Sequence, residues 1–220
     1  EIGPGYCYEP QDGSTTDCNL GPAGILVNGE YSVTNFITNP VISRNPNDHS
    51  GLVNGRFLAI DVSTAAGDKG ILWARRGIEV LPNRDITLSL WAFNLLQPSS
   101  SGNNPEILME LVDGSGTVIH SIPTAEIPKN TSADDWHNRS VTFNPGANTT
   151  VDIVLRSNLN SDYGNDLVID DIQAFQNPEL CEKTKEIIVV VEDNKEFKAN
   201  LLGITDPQCN AGNDGAIRFE

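Results

Sequence analysis

Short stretches of alternating apolar and polar residues recur along this chain, each closed by a cluster of Gly, Pro, Asn or Asp before the next begins. About ten of them precede Gln176, and no segment holds a helical period long enough to nucleate a helix. That pattern predicts an all-β chain folded as a β-sandwich. A jelly roll is the preferred variety, because its two sheets leave a curved face on which a ligand can sit.

The sharpest of these stretches is Gly164 to Phe175, which ends in the pair Asp170-Asp171. Strict alternation puts Leu167, Ile169 and Asp171 on one face and Val168, Asp170 and Ile172 on the other. One of the two aspartates must then point toward the apolar side. A buried ionised carboxylate needs hydrogen bonds, a cation or a raised pKa. Calcium is the expected partner, since it takes hard oxygen ligands from separate strands. The alternative is a pair of solvated carboxylates capping an edge strand.

Charge supports a cationic partner and excludes others. The 220 residues carry 30 acidic against 14 basic side chains, a formal charge of −16. Such a surface repels the phosphates of nucleic acid and anionic lipid and attracts divalent cations, although it also serves simply to keep a chain in solution. No apolar run approaches the roughly 20 residues of a membrane-spanning helix.

The four cysteines are Cys7, Cys18, Cys181 and Cys209. Cys7 and Cys18 flank a loop of Gly, Ser, Thr and Asp and read as a staple on a segment with little order of its own, while Cys181 and Cys209 bracket the C-terminal segment. Three pairings of four cysteines remain open. None has Cys-x-x-Cys spacing, and His49, His120 and His137 are too scattered to complete a zinc site. An oxidising, extracellular setting is expected.

These features divide the chain into a stapled segment over 1–24, a sandwich over 25–176 and a β-rich piece over 177–220, with the boundary at Gln176-Asn177-Pro178. Within the sandwich, Asn45 to Gly51 is a polar loop rich in side chains able to act as ligands. Trp91 lies in the most apolar strand and reads as core. Trp73 alternates with Arg75 on the face opposite Leu72 and Ala74, which makes this pair the first choice for an accessible sugar platform, with Asn94 and Arg156 as weaker choices.

Three separated motifs carry a resemblance. Asn47-Asp48-His49-Ser50-Gly51 through Asn54-Gly55-Arg56-Phe57-Leu58, then Leu90-Trp91-Ala92-Phe93-Asn94-Leu95, then Gly164-Asn165-Asp166-Leu167-Val168-Ile169-Asp170-Asp171-Ile172 resemble a jelly-roll module of large surface adhesins of gliding bacteria. The module is more distantly similar to MAM domains and to calcium-containing carbohydrate-binding modules. The tail from Ile204 to Ile217 looks like the start of an SprB-type repeat, a partial Ig-like β unit. The resemblance implies a cell-surface protein whose partners are neighbouring adhesin repeats and an extracellular glycan or peptide. It also implies a structural calcium held by Asp171 first, Asp48 second, and Asp170 or Glu30 after them. The N-terminal stapled segment departs from the family pattern.

The function expected is therefore a calcium-stabilised adhesin module that binds carbohydrate or peptide. The alternative is a spacer in a long stalk, with no ligand. An enzyme is not expected: no Gly-x-Ser-x-Gly elbow, His-Glu-x-x-His or Walker loop appears, and carboxylates such as Glu106, Glu110 and Asp113 are too common here to mark a glycosidase.

Overall fold

The structure is a computed structural model that describes residues 1–14, 18, 20–39, 45–64, 70–159 and 161–177, together with the backbone of 201–205 and 216–219. The chain divides into two compact units, Glu1–Gln176 and Asn177–Glu220. The first contains the N-terminal segment as well as the sandwich. Among the described residues no helix is long and apolar enough to cross a membrane.

Ten strands build the first unit: β1 (Cys7–Tyr8), β2 (Glu30–Thr34), β3 (Phe57–Asp61), β4 (Ile71–Glu79), β5 (Ile86–Asn94), β6 (Ile107–Asp113), β7 (Val118–Pro123), β8 (His137–Phe143), β9 (Thr150–Ser157) and β10 (Leu167–Gln176). One sheet has the order β1-β2-β3-β10-β5-β8 and the other β4-β9-β6-β7. The all-β, two-sheet sandwich expected from the alternation is the fold observed. In the second unit, β11 (Leu201–Thr205) pairs antiparallel with β12 (Ala216–Phe219). The remainder of the expected repeat lies outside the described residues.

The main core is the space between the sheets. Ile60, Leu88, Leu90, Leu167 and Ile169 from the six-stranded sheet meet Leu72, Met109, Leu111, Ile153 and Leu155 from the four-stranded one. A second apolar cluster lies on the outer face of the six-stranded sheet, where Phe57, Ala59, Phe93, Leu95 and Val168 are covered by Leu26, Ile37 and Trp136. That sheet is therefore buried on both faces, which is why β5 reads as apolar on both sides.

Two bulges reset the alternation and correct the sequence reading. On β10, Asp170 pairs with Trp91 but the next pair is Gln173 with Ser89, so the strand carries one extra residue. Asp171 sits in that bulge with φ +48°, and Ile172 returns to the main core instead of joining Val168 on the outer face. On β4, a register shift between Ile71 and Trp73 sends Leu72 into the main core and Ala74 into a small outer cluster with Val112 and Val154. Leu72 and Ala74 do not share a face, and Trp73 packs against the main core.

The N-terminus is built into the sandwich. Gly3 N donates to Ile71 O and Ala74 N to Glu1 O, so the first residues run along the edge of β4. A Cβ on Gly3 would lie 2.2 Å from the Ile71 carbonyl oxygen, so only glycine permits this approach.

Candidate functional site

The loops around His49 and Trp136 form a cleft at the end of the strands where β10 bulges. Its volume is about 510 Å³, and Asn35, Asn47, Asp48, His49 and Asp134 line it together with Leu52 and Val53. Two loops are fastened to each other to make it. Asn47 N donates to Ala133 O at 2.9 Å, Asn47 Nδ2 to Asp134 Oδ1 at 2.7 Å and Trp136 Nε1 to Asn47 O at 2.9 Å. The second loop is itself fixed by Asp135, which accepts from the backbone N–H and hydroxyl of both Thr131 and Ser132; these bonds hold its carboxyl well below the usual range.

His49 is the centre of the cleft wall. Its ring stacks on Trp91, with centroids 4.0 Å apart, and meets Trp136 edge-on at 5.7 Å. Its Nδ1 lies 2.7 Å from Asp171 Oδ2, and its backbone N donates to Asp170 Oδ2 at 3.2 Å. Trp91, expected in the core, lies on the outer side of its sheet, half-buried beneath this imidazole. The histidines looked too scattered for a metal site, and nothing in their spacing shows that one of them faces the closing carboxylates.

The structure brings Asp48, Asp170 and Asp171 together, as the resemblance implies, but each is already supplied with donors. Asp170 Oδ1 accepts from Asp171 N at 2.8 Å, in addition to the His49 bond on Oδ2. Burial pushes the Asp170 carboxyl up, and these two N–H groups oppose that shift. Asp48 Oδ2 accepts from Ser50 Oγ and from Leu52 N, and its carboxyl group occupies the space above Gly55, where a Cβ would lie 2.1 Å from Asp48 Cγ. Asp170 has both oxygens committed to protein N–H groups and does not fit as a calcium ligand, whereas Asp48 and Asp171 are each bonded through Oδ2. Glu30, the fourth ligand named, is not with them. It lies on β2 opposite Asp61, at the other end of the strands.

The sugar-platform residues also separate. Arg75 is exposed on β4, while Trp73 is half-buried against the core. Arg156 is on β9, between β4 and β6, so it belongs to the opposite sheet from the closing strand instead of lying beside it. There its Nε bonds Glu110 Oε2 at 2.7 Å. Asn94 is 0% exposed and serves the fold: its Nδ2 donates to Ile127 O and Asn104 Oδ1, and its Oδ1 accepts from Leu96 N. The Cys7–Cys18 disulfide is formed, whereas Cys181 and Cys209 lie outside the described residues.

A second group of acidic side chains crosses the other end of the six-stranded sheet. Glu30 is opposite Asp61, and the pairing of Leu167 with Ile60 sets Asp166 beside Asp61 in turn. Glu9 joins the row, since its N donates to Tyr31 O. Burial and the neighbouring carboxylates Asp166, Glu30 and Asp162 push Asp61 up; burial also pushes Asp166 and Glu30 up. Residues 9, 30, 61 and 166 are too far apart in sequence for spacing to reveal this row.

No protein-family model matches the chain, and no curated protein sequence matches it. Solved structures do show similarity. An arabinose-bound MgGH51 α-L-arabinofuranosidase aligns over 64% of this chain and 21% of its own, with 16% identity and a TM-score of 0.44. The C-terminal domain of EclA, a sugar-binding protein, aligns over 72% of this chain and 90% of its own, with 13% identity and a TM-score of 0.38. The CBM22-1 xylan-binding domain from Paenibacillus barcinonensis aligns over 69% and 88%, with 11% identity and a TM-score of 0.37. The chain thus spans about a fifth of the arabinofuranosidase but nearly the whole of the separate binding modules.

Proposed function

We propose that the unit Glu1–Gln176 is an extracellular carbohydrate-binding module of the kind carried by cell-surface adhesins, and that it retains its ligand without catalysis. The observation that carries this reading is the cleft at His49. Planar polar groups from Asn35, Asn47, Asp48 and Asp134 converge there on an imidazole held by Trp91 and Trp136. Sugar hydroxyls pair with such planar donors and acceptors, and exposed Leu52 and Val53 offer apolar surface to the C–H face of a ring. Short peptides are the second ligand class. The Cys7–Cys18 bridge supports an oxidising location, and neighbouring adhesin repeats are the structural partners that the tail suggests.

Glycan and peptide arrays probed with the full chain and with His49→Ala test the proposal. Retention on a glycan by the parent, lost in His49→Ala while the melting temperature stays within a few degrees, is the expected result. Blank arrays would favour the spacer reading, and release of reducing ends from a bound polysaccharide would favour an enzyme.

A further inference from the structure

We propose that Glu9 and Glu30, with Asp61 beside them, form a binding site for a divalent metal ion of the calcium type, separate from the closing Asp170-Asp171 pair. Glu9 and Glu30 are each 0% exposed and Asp61 is 4% exposed. One carboxylate oxygen on each glutamate, Glu9 Oε2 and Glu30 Oε1, is buried with no hydrogen-bond partner, and so is Ser32 Oγ, two residues on from Glu30 along β2, while Asp61 shares a side-chain hydrogen bond with Asp166. Glu9 and Glu30 bring carboxylate oxygens within 4.8 Å of each other. The Cys18 sulfur is equally near, but it is bonded to Cys7 and is no thiolate ligand.

The other oxygens of these groups are committed to the fold, which fixes the orientation of the free ones. Glu9 Oε1 accepts from Gly24 N, Glu30 Oε2 from Val27 N at 3.0 Å and Asp61 Oδ2 from Asn39 Nδ2 at 3.3 Å. Among the described residues no lysine or arginine forms an ion pair with Glu9, Glu30, Asp61 or Asp166. An unpaired ionised carboxylate inside a protein costs several kcal/mol, and a second one within about 5 Å adds repulsion. One divalent cation satisfies both glutamates at once. All the donors are hard oxygens on an irregular frame, which suits the flexible coordination of calcium better than the strict octahedron of magnesium.

The site is distinct from the cleft. Four residues of strand separate Asp166 from Asp170, about 13 Å at 3.3 Å per residue. Its role follows from the elements that it joins. Glu9 lies inside the disulfide loop and Glu30 opens β2, so the ion ties the N-terminal segment to the sheet. The proposal does not depend on glycan binding, and blank arrays would leave it standing.

Full-length protein stripped with chelator, then dialysed against calcium, magnesium or sodium at matched ionic strength, tests it by metal analysis and calorimetry. Calcium is expected to bind at one ion per chain and raise the melting temperature. Glu9→Gln and Glu30→Gln should each weaken binding by about tenfold or more, while Asp171→Asn should leave it within about twofold. In chelator, Glu30→Gln should melt at or above the parent, because it removes a buried charge that has no partner. Calcium binding lost in Asp171→Asn but kept in Glu30→Gln would overturn the proposal, as would absence of bound calcium in the parent, which would leave a shared proton in the place of the ion.

Discussion

His49 and Asp171 lie 122 residues apart in sequence, yet the imidazole Nδ1 is 2.7 Å from the carboxylate. Asp171 reaches it only by taking a left-handed backbone, φ +48°, inside the β10 bulge. Asp171→Ala loses the bond and keeps the strain, for an expected cost of about 1–2 kcal/mol. Asp171→Gly loses the same bond but relieves the strain, so it should be the more stable of the two by about 1 kcal/mol. Urea unfolding of both variants measures the difference, and equal losses would show that the bulge stores no strain at this residue.

The row of carboxylates gives stability a particular dependence on pH. Burial raises Asp61 from 3.8 to about 9, so across that window the folded chain holds a proton that the unfolded chain has released. Stability contributed this way is fully present below the unfolded value and is lost as pH rises through the folded one. In chelator, the melting temperature should therefore fall between about pH 5 and about pH 8, and Asp61→Asn should flatten the slope. A parent protein that grows more stable over this range would contradict the assignment.

Glu110 and Arg156 form an ion pair on the four-stranded sheet, with the glutamate side chain only 8% exposed. Ser121 Oγ donates to the other carboxylate oxygen at 3.1 Å. Arg156→Met leaves a buried charge without its cation and should cost about 3 kcal/mol, whereas Glu110→Gln with Arg156→Met should recover part of that loss. A double-mutant cycle read by chemical denaturation gives the coupling.

Removing the Cys7–Cys18 bridge by replacing both residues with Ala releases a short loop and should lower stability by about 2–3 kcal/mol. The same variant should bind calcium more weakly if Glu9 is a ligand, because Glu9 lies between the two cysteines. Calorimetry in chelator isolates the first effect, and calorimetry in calcium gives the sum.

The sandwich was legible because alternation, Asn-Gly and Asp-Gly turns and apolar strands each reflect local rules that hold along one strand. Trp73 and Ile172 fall on other faces than the sequence suggests because a single inserted residue reverses every face beyond it, and no side-chain pattern announces the insertion. Trp91 keeps its alternation on an unbulged strand, but with apolar residues on both faces of β5 the sequence does not tell the core side from the outer one. The polar loop at Asn47 to Gly51 was recognised as a source of ligands, but its partner loop at Asp134 was not, since only the pairing of β5 with β8 brings them together. The row Glu9, Glu30, Asp61 and Asp166 escaped notice in the same way. Its members lie in β2 and β3 or directly beside β1 and β10, which are neighbours only in the finished sheet.

The two-residue β1 occupies the outer edge of the six-stranded sheet, running parallel to β2 and anchored beside the disulfide. Without it, the outward N–H and C=O groups of β2 would form an open template flanked by exposed Val33 and Phe36. So brief a cover depends on its anchor, and opening the disulfide would free this edge of β2 for pairing with a strand from elsewhere.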